Sequence, residues 1–283
     1  MRIHYECFMC IANQCQRIIE MTTDDLEKRK TAAVFSAKLM GKLKEDSISG
    51  IVASEIISEL YKFLGIEDPF KEYKERSNEI AKKILENITK NLEIDLKTAL
   101  KLAIVGNIID FAVGYSPEKI ERDIMHLINE DLYVDNSEEL FEILKHAKVL
   151  LYLTDNCGEI YFDKLFLKKI KESFPDLEIY IAGKEQPLIN DATVDELRAA
   201  GLQEVGEIIS TGFGVVGVPL DRISGRFKEI FDSADVIIAK GQANFETLNE
   251  SNDRRIFYLL KAKCMPIARE LRVPQGAMLC IDI

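Results

Sequence analysis

The chain lacks an excess of positive charge: 37 Lys and Arg against 48 Asp and Glu leave a net charge of −11. Nucleic-acid backbones and anionic membranes both require basic surface, so neither is expected as the main partner. A long apolar run is missing too. The most hydrophobic stretch, 102–115, is too short for a bilayer and contains Asn107 and Asp110, so no membrane span is expected. The opening residues, Met1-Arg-Ile-His-Tyr-Glu-Cys7, have no basic segment followed by an apolar one. No secretory signal is therefore expected, and a cytoplasmic location is. Six cysteines in 283 residues are too few for a disulfide scaffold. Tryptophan is absent while Lys and Glu are plentiful, a balance common in thermophiles. There is no fixed-period repeat, low-complexity tract or Pro- or Ser-rich linker, so the parts of the chain are expected to pack tightly.

What remains is a globular composition, 47% apolar and 30% charged, at a length that suits one large or two ordinary domains. Two periodicities divide it. From Cys7 to about Lys145 apolar residues recur at helical spacing, as in Ile11, Ile18 and Ile19, or Ile80, Ile84 and Ile88. Thr23-Asp24-Asp25 and Ser116-Pro117-Glu118 are helix starts, and residues 65–69 form a loop between helices. After Lys145 come short β-rich runs at 149–154, 177–182, 207–211, 236–239, 256–260 and 278–281. Amphipathic helical segments lie between most of them, at 161–173, 194–200 and 222–231. The spacing predicts an α/β protein: an all-helical region, 1–145, covering a Rossmann-like, mostly parallel sheet domain, 146–283.

In such sheets ligands bind outside the carboxyl ends of the strands. Here those ends carry Asp155-Asn156-Cys157-Gly158-Glu159, Lys184, Asn190-Asp191-Ala192-Thr193, Lys240 with Asn244 and Glu246, and Lys263. Carboxylates with an Asn carbonyl are hard oxygen ligands, suited to Mg²⁺ or Mn²⁺ and usable by Co²⁺. Lysines beside such a cation suit an anionic substrate, chiefly phosphate. Helices starting near Gly158 and Asn244 are expected to offer free backbone N–H groups to the same anion. Taken singly, each motif also reads as a turn or a helix cap; their joint placement at one sheet edge favours a site. Asn107 and Asp110 lie three apart within an apolar stretch, and read equally as a buried interhelical contact or as part of that site.

Asp155-Asn156-x-Gly-Glu159, Asn190-Asp191-Ala-Thr193 and Lys240-Gly-Gln-Ala-Asn-Phe-Glu246, preceded by Gly106-Asn-Ile-Ile-Asp110, resemble the damage-control phosphatase family. These are the ARMT-like proteins, long catalogued as a domain of unknown function. The resemblance covers nearly the whole chain, and Cys7-x-x-Cys10 is similar to the bacterial and archaeal branch. It implies a divalent-metal-dependent phosphatase (Mn²⁺, Mg²⁺, Co²⁺ or Ni²⁺) of small phosphorylated metabolites, often damaged or excess sugar phosphates. The implied metal ligands are Asp155, Asn156 and Asp191, and Asp155 and Lys240 are the implied catalytic residues. Lys240 and Asn244 would contact phosphate, and Asn107, Asp110, Glu159 and Glu246 would line the pocket; Lys263 is added not by the resemblance but by its place at the same sheet edge, where it would share the phosphate charge. Either Asp155 attacks phosphorus or a water does.

Two other readings stay open. A carboxyl methyltransferase activity has been suggested for a eukaryotic branch, but no Gly-rich nucleoside loop follows the first strand here. Cys7 and Cys10 are also the candidates for a second metal or a disulfide, and a non-catalytic metal or redox module would centre on them, with Cys264 or Cys280 needed to close a zinc site. Cys157, a soft thiol among hard ligands, reads either as a small filler or as a bias on metal choice. Oligomeric state is not encoded in any heptad seam or isolated apolar patch.

Overall fold

The computed structural model describes residues 1–107 and 117–283. The chain opens with helices α1 (Tyr5–Thr22), α2 (Leu26–Met40), α3 (Ser49–Leu64), α4 (Lys71–Asn91), α5 (Leu96–Gly106) and α6 (Pro117–Leu127). Asp25 caps α2, its carboxylate accepting from the backbone N–H groups of Glu27 and Lys28 at 3.0 and 3.2 Å. Gly65, at φ +69°, ends α3 in the left-handed conformation that glycine adopts without strain.

Strand β1 (Val134–Asp135) and helix α7 (Ser137–Leu144) then lead into the sheet. There follow β2 (Val149–Leu153), α8 (Ile160–Ser173), β3 (Glu178–Gly183), α9 (Val194–Ala199), β4 (Glu207–Ser210) and α10 (Gly225–Ser233). The chain ends with β5 (Val236–Lys240), α11 (Gly241–Leu248), β6 (Ile256–Lys261), α12 (Met265–Leu271) and β7 (Met278–Asp282).

The seven strands are ordered β1-β7-β6-β5-β2-β3-β4, and β2 to β6 all run parallel. The last apolar run is a strand, as expected, but β7 pairs antiparallel with β6. β1 was not legible in the sequence because two residues are too few to show alternation; it pairs parallel with β7.

Alternate residues of the central strands face opposite layers. Leu150, Tyr152, Val236 and Ile238 join the cluster that contains buried residues of α4 to α9. Leu151, Leu153, Ile237 and Ala239 face the other way, onto residues of α10, α11 and α12. A third cluster joins α1, α2 and α3 to Phe70, Leu188 and Val216, which brings the helical segment against loops at the carboxyl edge of the sheet. No helix among the described residues is long and apolar enough to cross a membrane.

Candidate active site

β2 and β5 are neighbours, but the chain leaves β2 toward β3 and β4 and leaves β5 toward β6. This reversal opens a crevice at their carboxyl ends, the position where open α/β sheets bind ligands. Asp155 and Asn156 follow β2, and Lys240 ends β5. The third contribution comes from the loop after β3. Ala192 N–H donates to the Asp155 carbonyl at 2.8 Å, and Cys157 N–H to the Asn190 carbonyl at 2.9 Å. Asn156 and Asp191 thereby sit opposite each other in a short antiparallel bridge. Backbone pairing, rather than side-chain contact, holds the two predicted ligand segments side by side.

Buried side chains fill the crevice. Asn107 Nδ2, just past the end of α5, donates to Asp155 Oδ2 at 2.7 Å and to Glu159 Oε2 at 2.5 Å. Asn156 Nδ2 donates to the same two oxygens at 2.8 and 3.1 Å. Lys240, wholly buried, donates to the Ala103 carbonyl at 2.9 Å, Glu159 Oε1 at 2.8 Å and Asp163 Oδ1 at 2.6 Å. Tyr152 OH also donates to Asp163 Oδ1, at 2.7 Å. An ammonium has three hydrogens, and all three of Lys240 are engaged. The phosphate contact implied for Lys240 thus has no free donor here: its charge is committed to Glu159 and Asp163. Asp163 and Tyr152 were missed in the sequence. The available signal was a carboxylate on the apolar face of α8, one turn from Ile160 and Phe166.

The electrostatics are strained in one direction. Burial, then the charge of Glu159, pushes the Asp155 carboxyl up to about 6. Burial pushes Asp191 up to about 8 against the pull of Lys184, whose Nζ lies 3.8 Å away and donates to the Gly217 carbonyl. Burial likewise raises Asp163 to about 7 and lowers Lys184. Burial opposes the Lys240 charge as well, yet Asp163 and Glu159 hold it above the ordinary lysine range. Asp191 Oδ2, Asn107 Oδ1 and Asn244 Oδ1 are buried with no hydrogen-bond partner among the described residues. Lone oxygen acceptors beside buried carboxylates are hard oxygens of the kind that suits a divalent cation. No three carboxylate, imidazole or thiol groups among the described residues cluster into a ready-made metal site, so any cation here would also need carboxamide oxygens as ligands.

Other expected residues fall into place around this core, and some do not act as expected. Gly158 N–H is taken by Asn78 Oδ1 at 2.6 Å, so that amide is not free for an anion. The helix expected near Asn244 begins at Gly241, and Asn244 Nδ2 donates to the carbonyls of Lys240 at 2.7 Å and Thr154 at 3.2 Å. Asn244 therefore stitches the end of β5 to the end of β2. Glu246 is largely buried, accepts from Ser49 Oγ and is raised by burial. Asp110 lies outside the described residues. Lys263 is exposed and makes no ion pair among the described residues.

Two cavities meet at the crevice. One of about 150 Å³ reaches Asn107, Asn156, Glu159 and Lys263. The other, about 430 Å³, reaches Asp155, Asn156, Asp191, Glu246 and Lys263. Cys7, Cys10 and Cys264 line the second, so α1 and the loop before α12 bring these thiols to one wall. All six cysteines are free, and burial raises the thiols of Cys7 and Cys10, keeping them protonated. Cys157 is buried beneath its loop, and burial raises its thiol strongly, with Glu196 and Lys74 beside it.

The chain matches the damage-control phosphatase ARMT1-like domain over residues 3–279. It is 54% identical over 282 residues to a damage-control phosphatase of Pyrococcus horikoshii, covering 99% of this chain and 98% of that one. A damage-control phosphatase of Archaeoglobus fulgidus is 33% identical over 286 residues, covering 98% of each chain. The crystal structure of a DUF89 family protein from P. horikoshii, 54% identical, superposes with a TM-score of 0.96 over 100% of this chain and 99% of that one. The family match and these relatives place the chain in the phosphatase class, on an α/β fold. The chain belongs to the damage-control phosphatase ARMT1-like domain family.

Proposed function

We propose that the chain is a divalent-cation-dependent phosphomonoesterase of small phosphorylated metabolites, sugar phosphates or related damaged metabolites. The observation that carries this reading is the pair of buried carboxylates, Asp155 and Asp191, which line one cavity with Asn156 at the sheet's switch point, Asp191 Oδ2 having no hydrogen-bond partner among the described residues. Asp155, Asn156 and Asp191 would hold the cation (Mn²⁺, Mg²⁺, Co²⁺ or Ni²⁺). When bound, it supplies Lewis-acid charge to a phosphate oxygen. Lys263, which lines both cavities and has no ion-pair partner among the described residues, binds the phosphoryl group. Glu159 is a positioning residue: Lys240 holds one of its oxygens, and the other receives the Asn107 and Asn156 amides that also orient Asp155.

The test is phosphate release from p-nitrophenyl phosphate and a panel of sugar phosphates, with each cation in turn. Activity is expected only with a cation present. Asp155→Asn is expected to lower it by more than about 100-fold while leaving the circular dichroism spectrum unchanged. Full activity in the chelator-treated enzyme or in the variant overturns the reading.

A further inference from the structure

The smaller cavity has a second wall, built by the helical segment and not used by the chemistry above. Gln14 and Arg17 come from α1, Phe70 directly precedes α4, and Tyr73 and Ser77 lie on α4. Arg17 Cζ lies 5.5 Å from the centroid of the Phe70 ring and 5.1 Å from that of Tyr73. The rings hold the guanidinium by cation–π attraction without neutralising it. Arg17 has no carboxylate partner among the described residues, although the chain carries 48 acidic side chains. Beside it, Gln14 Nε2 and Ser77 Oγ are buried with no hydrogen-bond partner among the described residues, and Ser77 is only 2% exposed. Buried polar groups are normally satisfied, so unsatisfied ones lining a cavity mark the place of a polar ligand. Lys263 and Asn156 line the same cavity.

A phosphoryl group at Lys263 and Asn156 therefore leaves the rest of a small ester facing a hydroxyl, a carboxamide and a guanidinium. A guanidinium is a planar fork that matches a carboxylate through two parallel hydrogen bonds. We propose that Arg17 is a specificity-determining residue that binds a carboxylate at the non-reacting end of the substrate, with Gln14 and Ser77 receiving its hydroxyls. The substrate class is then a short phosphorylated hydroxy acid, which suits a cavity of about 150 Å³. This rests on the phosphatase reading.

A matched pair of esters tests it: 3-phosphoglycerate and glycerol 3-phosphate differ only in a carboxylate against a hydroxymethyl group. Phosphate release and calorimetric binding of both are compared for the wild type, Arg17→Gln and Arg17→Lys. The wild type is expected to prefer phosphoglycerate by at least about tenfold in kcat/KM, mainly through KM. Arg17→Gln is expected to bring the ratio near one, and Arg17→Lys, which keeps the charge over the rings, to restore part of it. A wild type without the preference, or an Arg17→Gln variant that weakens both esters equally, overturns the proposal. If neither ester is hydrolysed with any cation, the phosphatase reading fails. Binding then decides the role of Arg17 alone: tighter phosphoglycerate binding lost in Arg17→Gln supports it, and equal binding of the two esters overturns it.

Discussion

Gly241 governs how Asp155 can sit. Its φ of +74° is a left-handed conformation that a side chain strains to adopt, and a Cβ there would lie 1.8 Å from Asp155 Oδ2. The turn that ends β5 must therefore pass the carboxylate as bare backbone. Gly241→Ala is expected to push the Asp155 carboxylate aside and to weaken cation binding by about 10- to 100-fold, as displaced ligand geometry does elsewhere. Titration of Mn²⁺ into the two proteins, followed by calorimetry, checks this. Equal affinities would show that the cation does not use Asp155. The same crowding explains why Asn107 matters: its amide bridges Asp155 and Glu159, which would otherwise repel across the crevice.

At the scale of elements, Lys240 is a three-way joint. It ties the end of β5 to α8 through Glu159 and Asp163, and to α5 through the Ala103 carbonyl. Such a buried joint is strong only while complete, because removing the cation strands two carboxylates away from water. Lys240→Met is expected to cost about 3–5 kcal/mol of unfolding free energy, read from the denaturant midpoint at unchanged slope. A loss within about 0.5 kcal/mol, the usual range for surface changes, would mean that the joint carries no strain in the fold. Asn244 plays a smaller version of the same part, joining the carboxyl ends of β5 and β2 so that the crevice keeps its width.

For the whole molecule the governing fact is acidity, −11 overall, with part of it placed inside. Asp155 and Asp191 have folded values of about 6 and about 8, above the roughly 3.9 of an unfolded aspartate. The folded state holds these protons more tightly than the unfolded one. Their contribution to stability is therefore fullest below about pH 4 and is lost as pH rises toward about 8. A bound cation reverses the penalty by displacing the protons, and it binds more readily as they leave. The gain in Tm on adding Mn²⁺ is accordingly expected to be small near about pH 5.5 and to grow through about pH 8.5. A gain that is flat or shrinks over that range would show that these carboxylates do not meet the cation.

The order of elements, helices first and then a parallel α/β sheet, was determined by the sequence itself. Periodicity is a local property: Val149 to Leu153 reads as a doubly buried strand because every residue in it is apolar, and α8 shows its face in Ile160, Phe166 and Ile170. The strand-end motifs were legible for the same reason, since Asp155 and Lys240 sit where apolar runs stop and Asp191 lies in the loop that follows another. Only the tertiary structure decided what those residues do to one another. That Lys240 has no hydrogen left for phosphate, that Gly158 donates to Asn78 and that β7 turns antiparallel all depend on partners distant in sequence. Arg17 is the clearest case. As one basic residue on an amphipathic helix it signals nothing, and only the rings of Phe70 and Tyr73, more than fifty residues away, make it a cation facing a cavity. Local spacing encodes faces and ends, whereas charge and hydrogen-bond pairing are settled only when those faces meet.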